Sequence, residues 1–146
     1  VVFLTSLHQW FTRGHPDYST SKAAVGMLVR ETARDLAPTG RVNAVAPGAV
    51  NLHEEGSEQF TFEEERARAL LPLGRLGRPH DIAGQVAVLL DDTLSGYVTG
   101  ATVVVDVGLS LHTWLDDEVE AGAVGVGGEW PSRPSILSSS AWGTQM

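Results

Sequence analysis

Cysteine is absent from the 146 residues, which excludes disulfides and thiolate metal ligands. Basic residues are scarce: ten Lys and Arg stand against 18 Asp and Glu, for a formal charge of -8. Such a balance argues against nucleic acid or an anionic membrane as partner. No apolar run is long enough to span a bilayer. The first residues, Val1 to Ser6, carry no basic segment and too short an apolar stretch for a secretory signal. These absences suit a cytoplasmic chain. The five histidines, His8, His15, His53, His80 and His112, lack metal-ligand spacing, so no metal is expected.

What is present is an alternation of strand and helix patterns. Val1–Thr5, Arg41–Ala46 and Ala101–Val105 are short, rich in β-branched residues and apolar on both faces, as central parallel strands are. Between them, Tyr18–Ala37 reads as a helix burying Val25, Leu28, Val29, Thr32 and Leu36. Thr61–Leu71 reads as a short helix capped by Thr61. A third helix starts at Pro79 and runs to about Leu90, burying Ile82, Ala83, Val86, Val88 or Leu89, and Leu90. Ser6–Asp17 and the polar Asn51–Phe60 are expected to be loops, the latter mobile.

This order predicts an α/β fold with a doubly wound parallel sheet. Three strands are few for such a sheet, and the first would present a bare apolar edge. The expectation is therefore the C-terminal part of a Rossmann-like sheet, truncated at the N-terminus. Residues 1–110 form that unit. Residues 111–146, acidic and then rich in Gly, Ser and Pro, are expected to form a flexible tail.

The chemistry-bearing feature is Tyr18-Ser19-Thr20-Ser21-Lys22, which includes the only lysine. A four-residue spacing sets Tyr18 and Lys22 on one helix face. A phenol, with a free pKa near ~10, holds its proton too tightly for base work at neutral pH. A cation about 4 Å away favours the phenolate by roughly 4 kcal/mol at an effective dielectric of about 20, less the cost of desolvation. Such a pair can exchange a proton with a carbonyl or alcohol oxygen. The alternative is a solvated lysine beside a partly buried tyrosine. Ser6 ends the first strand, where a parallel sheet opens its ligand crevice, and its hydroxyl can meet a substrate oxygen or serve only as a turn residue. His8 is read as a solvated loop histidine, with contact to substrate as the alternative, and Glu54-Glu55 and Glu63–Glu65 as solvated faces.

Thr5-Ser6, Tyr18…Lys22, Arg41-Val42-Asn43-Ala44-Val45-Ala46-Pro47-Gly48, Leu73-Gly74-Arg75-Leu76-Gly77-Arg78-Pro79 and Tyr97-Val98-Thr99-Gly100 occur in order. Together they resemble the successive signatures of the classical short-chain dehydrogenases/reductases, nearest in flavour to sugar dehydrogenases and 3-oxoacyl-carrier-protein reductases. The resemblance implies an oxidoreductase moving hydride between NAD or NADP and a small alcohol or ketone, and a homo-oligomeric whole protein. It casts Ser6, Tyr18 and Lys22 as the catalytic set. Ser6 would polarise the carbonyl, Tyr18 would act as acid/base, and Lys22 would hold the nicotinamide ribose. Tyr18 and Lys22 would thus touch the cofactor, along with Pro47, Gly48, Ala49 and Val50 beside the nicotinamide. Residues Asn51–Leu71 would form a substrate lid.

Four departures from that pattern stand out. The 146 residues hold no glycine-rich turn between a first strand and helix, and no upstream asparagine to complete a catalytic tetrad. Leu52 replaces a threonine, and Asp106-Val107-Gly108 replaces Asp-Gly-Gly. The second reading is accordingly a non-catalytic fragment acting only as an assembly or interaction module.

Overall fold

The computed structural model describes residues 1–12 and 14–111. The tail expected over 111–146 lies, but for Leu111, outside the described residues. Three parallel strands form one sheet in the order β1 (Val2–Leu4), β2 (Asn43–Pro47), β3 (Thr102–Val105). The register pairs Phe3 with Ala44 and Val45 with Val103. The α/β parallel sheet expected from the alternating pattern is therefore present. Among the described residues the outer edge of β1 has no strand beside it.

Helices cover both faces. On one, Val29 and Ala33 of α1 (Pro16–Leu36) pack with Val42, Ala44 and Phe3. On the other, Ile82 and Leu89 of α3 (Pro79–Leu90) pack with Val45, Val2, Val86 and Val103. The side chains alternate along each strand, so neighbours such as Val2 and Phe3 serve opposite clusters. Val29, Val42 and Val45 are fully buried, each contributing about 1.5–3 kcal/mol of transfer free energy.

Helix boundaries differ from the sequence reading in instructive ways. α1 starts at Pro16, whose fixed φ and missing N–H suit a first helical position. Its buried face is Gly26, Val29 and Ala33; Leu28 and Leu36 are exposed at 50% and 39%. The small residues win because neighbours come close. The Gln9 side chain lies where a Cβ of Gly26 would be. α2 (Glu58–Leu70) begins three residues before the expected start, because Ser57 accepts from the Phe60 N–H at 3.1 Å and caps it. Thr61 instead donates to the Ser57 carbonyl. On α3, Ala83, Val88 and Leu90 face outward, and Val88 and Leu90 are 39% and 56% exposed. A short helix, α4 (Asp92–Ser95), follows.

Two of the sequence signatures brace the sheet. Asn43 is buried, donates to the Val98 carbonyl at 2.9 Å and accepts from the Ala101 N–H at 3.1 Å. Arg41 spans Asp92, Ser95 and the Val98 carbonyl. Val42 exchanges bonds with Thr99 and Gly100. The Arg41–Asn43 and Val98–Gly100 stretches thus tie β2 to the start of β3. Among the described residues no helix is long and apolar enough to cross a membrane.

Candidate active site

All three strands run in one direction, so their C-terminal ends open on one edge of the sheet, where an α/β sheet places ligands. A cleft of about 350 Å³ lies there. Three segments line it. Ser6, His8, Phe11, Thr12 and Tyr18 come from the end of β1 and the start of α1; Pro47–Ala49 follow β2; Leu109 and Ser110 follow β3.

Ser6 is buried and caps a 3₁₀ turn, Leu7–Gln9, accepting from the His8 N–H at 3.2 Å. Tyr18 sits in the first turn of α1, 43% exposed. One turn on, the Lys22 ammonium is 5.5 Å from the Tyr18 ring centroid. It donates to the Leu4 carbonyl at 3.3 Å, which ties the helix to the end of β1. The shared helix face expected from the spacing is therefore real. Ser6, Tyr18, Pro47, Gly48 and Ala49 are brought together on the cleft. Lys22 stands behind Tyr18, outside the lining. Val50 is not on the cleft; it bridges Gly77 and packs in the α3-side core.

The wall after β2 depends on a close approach. Gly48 abuts Asp106, leaving no room for a side chain. The Asp106 carboxylate accepts from the N–H groups of Gly108 (3.0 Å) and Ser110 (2.6 Å), which positions Leu109 and Ser110. Burial opposes its ionisation, but the bonds from Ser110 and Gly108 outweigh that and hold its pKa below the usual carboxylate range. Val107 turns the chain at φ 55°, in the left-handed region.

The stretch expected to be a mobile polar loop is anchored at its start. Asn51 is buried, its N–H donates to the Gly77 carbonyl at 2.8 Å, and its side chain accepts from His53. Arg78 pairs with Glu55 at 2.5 Å and lies over the Phe60 ring. Leu52 is 78% exposed. Sequence reasoning missed Phe11, Thr12, Leu109 and Ser110. The last two follow a parallel strand's C-terminal end, a signal that could have flagged them. His8 is half-buried in the cleft wall. Among the described residues no group of three or more His, Asp or Glu could hold a metal ion.

Residues 1–110 match the family model described as enoyl-(acyl carrier protein) reductase. The chain is 43% identical over 116 residues to 3beta-hydroxysteroid dehydrogenase 1 of Eggerthella lenta, covering 77% of this chain and 44% of that protein. It is 37% identical to glucose 1-dehydrogenase 2 of Bacillus subtilis, with the same coverage. The solved aldohexose dehydrogenase of Thermoplasma acidophilum superposes with a TM-score of 0.66 at 30% identity, over 77% of this chain and 48% of that one.

A parallel sheet flanked by helices, with Ser6, Tyr18 and Lys22 at its C-terminal edge, places the chain among Rossmann-like oxidoreductase folds. It belongs to the short-chain dehydrogenase/reductase family. The chain spans less than half the length of the curated relatives it matches.

Proposed function

We propose that the chain supplies the proton-handling half of an NAD(P)-dependent dehydrogenase that interconverts an alcohol and a carbonyl compound. The observation that carries this reading is the stacked set at the cleft: Ser6 and Tyr18 on its wall, with the Lys22 ammonium 5.5 Å from the Tyr18 ring. The relatives, named for a hydroxysteroid and for hexoses, are consistent with it.

In this reading the Ser6 hydroxyl holds the substrate oxygen. During reduction the Tyr18 phenol gives its proton to that oxygen; during oxidation the phenolate takes it back. Lys22, beside the Tyr18 ring, would bind the cofactor's ribose. Pro47, Gly48 and Ala49 form the wall beside the nicotinamide, and Val50 anchors that wall to the core. A bound nicotinamide supplies or accepts the hydride. The described residues fit the nicotinamide end of such a cofactor. Tyr18 is partly exposed, and among the described residues Lys22 has one hydrogen bond, to the Leu4 carbonyl, besides its place over the Tyr18 ring. A homo-oligomeric whole protein is part of the proposal, supported by Met27 and Leu28, each 50% exposed on α1.

The test is Tyr18→Phe in the active enzyme containing these residues. Turnover should fall at least roughly a hundredfold, the scale of a lost acid/base, with cofactor affinity retained. Near-normal turnover would remove Tyr18 from the mechanism.

A further inference from the structure

α2 stands apart from the two cores. Ala67 is buried, but among the described residues neither core cluster takes a side chain from this helix, and Phe62 is 66% exposed. Its place is therefore decided mainly at its two ends.

The C-terminal end is fixed by backbone. The Leu71 N–H donates to the Ala67 carbonyl at 2.9 Å and closes the helix, and the Gly74 N–H returns to the Leu71 carbonyl at 2.8 Å. Beyond the helix, the Leu73 N–H donates to the Val107 carbonyl at 3.2 Å, and Pro72 lies tight against Gly108. This leg is joined to the turn after β3.

The N-terminal end is held differently. Backbone bonds just before it are local: the His53 N–H donates to Asn51 Oδ1 at 3.1 Å, and the Ser57 N–H to the Glu54 carbonyl at 3.1 Å. His53 Nε2 lies 3.5 Å from Glu63 Oε1, which joins this leg to the helix. Leg and helix start thus form one body. Asn51 Nδ2 reaches the Phe60 carbonyl only at 3.5 Å, long for a hydrogen bond. The firmer tie is Arg78, whose guanidinium donates to Glu55 at 2.5 Å and stands 5.3 Å from the Phe60 ring centroid.

Arg78 is the anchored side of that tie. Its N–H donates to Asp81 at 2.8 Å, its carbonyl accepts from the Asp81 N–H at 3.0 Å, and Arg75 holds Asp81 in turn. The guanidinium is less completely engaged. Its Nε is buried with no partner among the described residues, and the Glu55 side chain is 70% exposed. A charge-assisted bond whose acceptor stands in solvent is well directed yet cheap to open.

We propose that α2 is a flap, hinged at residues 71–74 and latched at its N-terminal end by Arg78 through Glu55 and Phe60. Once released, the 13-residue helix swings as a rod about 20 Å long, so a rotation of roughly 15° at the hinge carries its start about 5 Å. Arg78 is not among the residues lining the cleft, so it is a positioning residue. The flap's mechanics need no reaction; its service as a cover over substrate rests on the reading of residues 51–71 as the substrate lid.

Hydrogen exchange on the 146-residue chain tests the latch. Arg78→Met keeps the aliphatic stem and the backbone bonds to Asp81. It should speed exchange of amides 61–67 at least about fivefold, leaving β2, α1 and α3 unchanged. Glu55→Gln, on the exposed side of the contact, removes the ion pair without touching α3 and should give a smaller increase in the same amides. Raising salt from about 0.01 M to about 1 M should speed these amides in the unaltered chain and not in Arg78→Met, because screening weakens only the ion pair. Unchanged exchange in both variants overturns the latch. Faster exchange spread over α3 and the sheet in Arg78→Met, with none in Glu55→Gln, also overturns it, since Arg78 then serves the fold as a whole. In the active enzyme containing these residues, Arg78→Met should raise KM at least about fivefold with kcat within about twofold. Faster exchange with an unchanged KM supports the latch and overturns the lid reading instead.

Discussion

A Cβ added to Gly48 would stand 2.6 Å from the Cβ and 2.8 Å from the Cα of Asp106. These two residues follow adjacent strands, and their contact sets the separation between two walls of the cleft. The clash would be with backbone, which cannot swing aside. Gly48→Ala should therefore destabilise the fold by about 1–3 kcal/mol, as overpacking does. Urea denaturation of the 146-residue chain checks it; an unshifted midpoint would mean that the two turns slide apart freely.

Val107 holds a φ of 55°, where a β-branched residue is strained. The left-handed conformation costs roughly 1–2 kcal/mol in an L-residue with a Cβ. Glycine removes that strain but loses more conformational freedom on folding, about 0.5–1 kcal/mol. Val107→Gly should leave a net gain of about 0.5–1 kcal/mol, seen as a higher denaturation midpoint. A loss instead would mean that the valine side chain contributes more by packing than its backbone costs.

Asp81 links acidity to stability. Its carboxylate accepts two bonds from the Arg75 guanidinium, at 2.7 and 3.0 Å, and one from the Arg78 N–H at 2.8 Å, at the start of α3. The Arg75 bonds, then the Arg78 bond, outweigh burial and lower its pKa from 3.8 to about 2. A carboxyl whose pKa falls on folding stabilises the fold above its unfolded pKa. That contribution is lost as pH drops through the folded value, here between about pH 4 and pH 2. Asp81→Asn should cost about 1–2 kcal/mol at neutral pH and flatten the stability profile across that window. A profile as steep as the original would assign the acid sensitivity to other carboxylates.

The 146-residue chain alone should bind NADH and NADPH weakly, without saturation in the micromolar range. Dinucleotide affinity in parallel α/β sheets draws heavily on a glycine-rich strand-to-helix turn that cradles the pyrophosphate. Between β1 and α1 the chain has only Gly14, and between β2 and α2 only Gly48 and Gly56. Lacking those contacts should cost a few orders of magnitude in affinity. Calorimetry or nucleotide fluorescence reads it. Saturable micromolar binding would make the Gly122–Gly128 run the first candidate for a phosphate cradle.

Local rules made the essentials legible. The Tyr18–Lys22 spacing needed only helix geometry, and Pro79 marked the start of α3 at its first residue. What stayed hidden was decided by contacts between distant segments. Nothing local says that α1 buries Gly26 and Ala33 rather than Leu28 and Leu36; the Gln9 side chain, from a distant turn, fills the space beside Gly26. Ser57 and Thr61 are both fair capping residues by type. The helix took Ser57, just beyond a segment anchored at buried Asn51.

The strands all open on one edge, and the cleft is therefore assembled from stretches centred near residues 6–18, 47–49 and 109–110, far apart along the chain. For a protein engineer this is a separation of duties. In the proposed function, acid/base chemistry is confined to the first stretch and its helix, while the other walls hang from turns whose lengths the ladder does not constrain. Grafting the turn after β3, or the segment between Asn51 and Leu73, from another member of the family could then redirect substrate choice while the proton-handling apparatus is inherited intact.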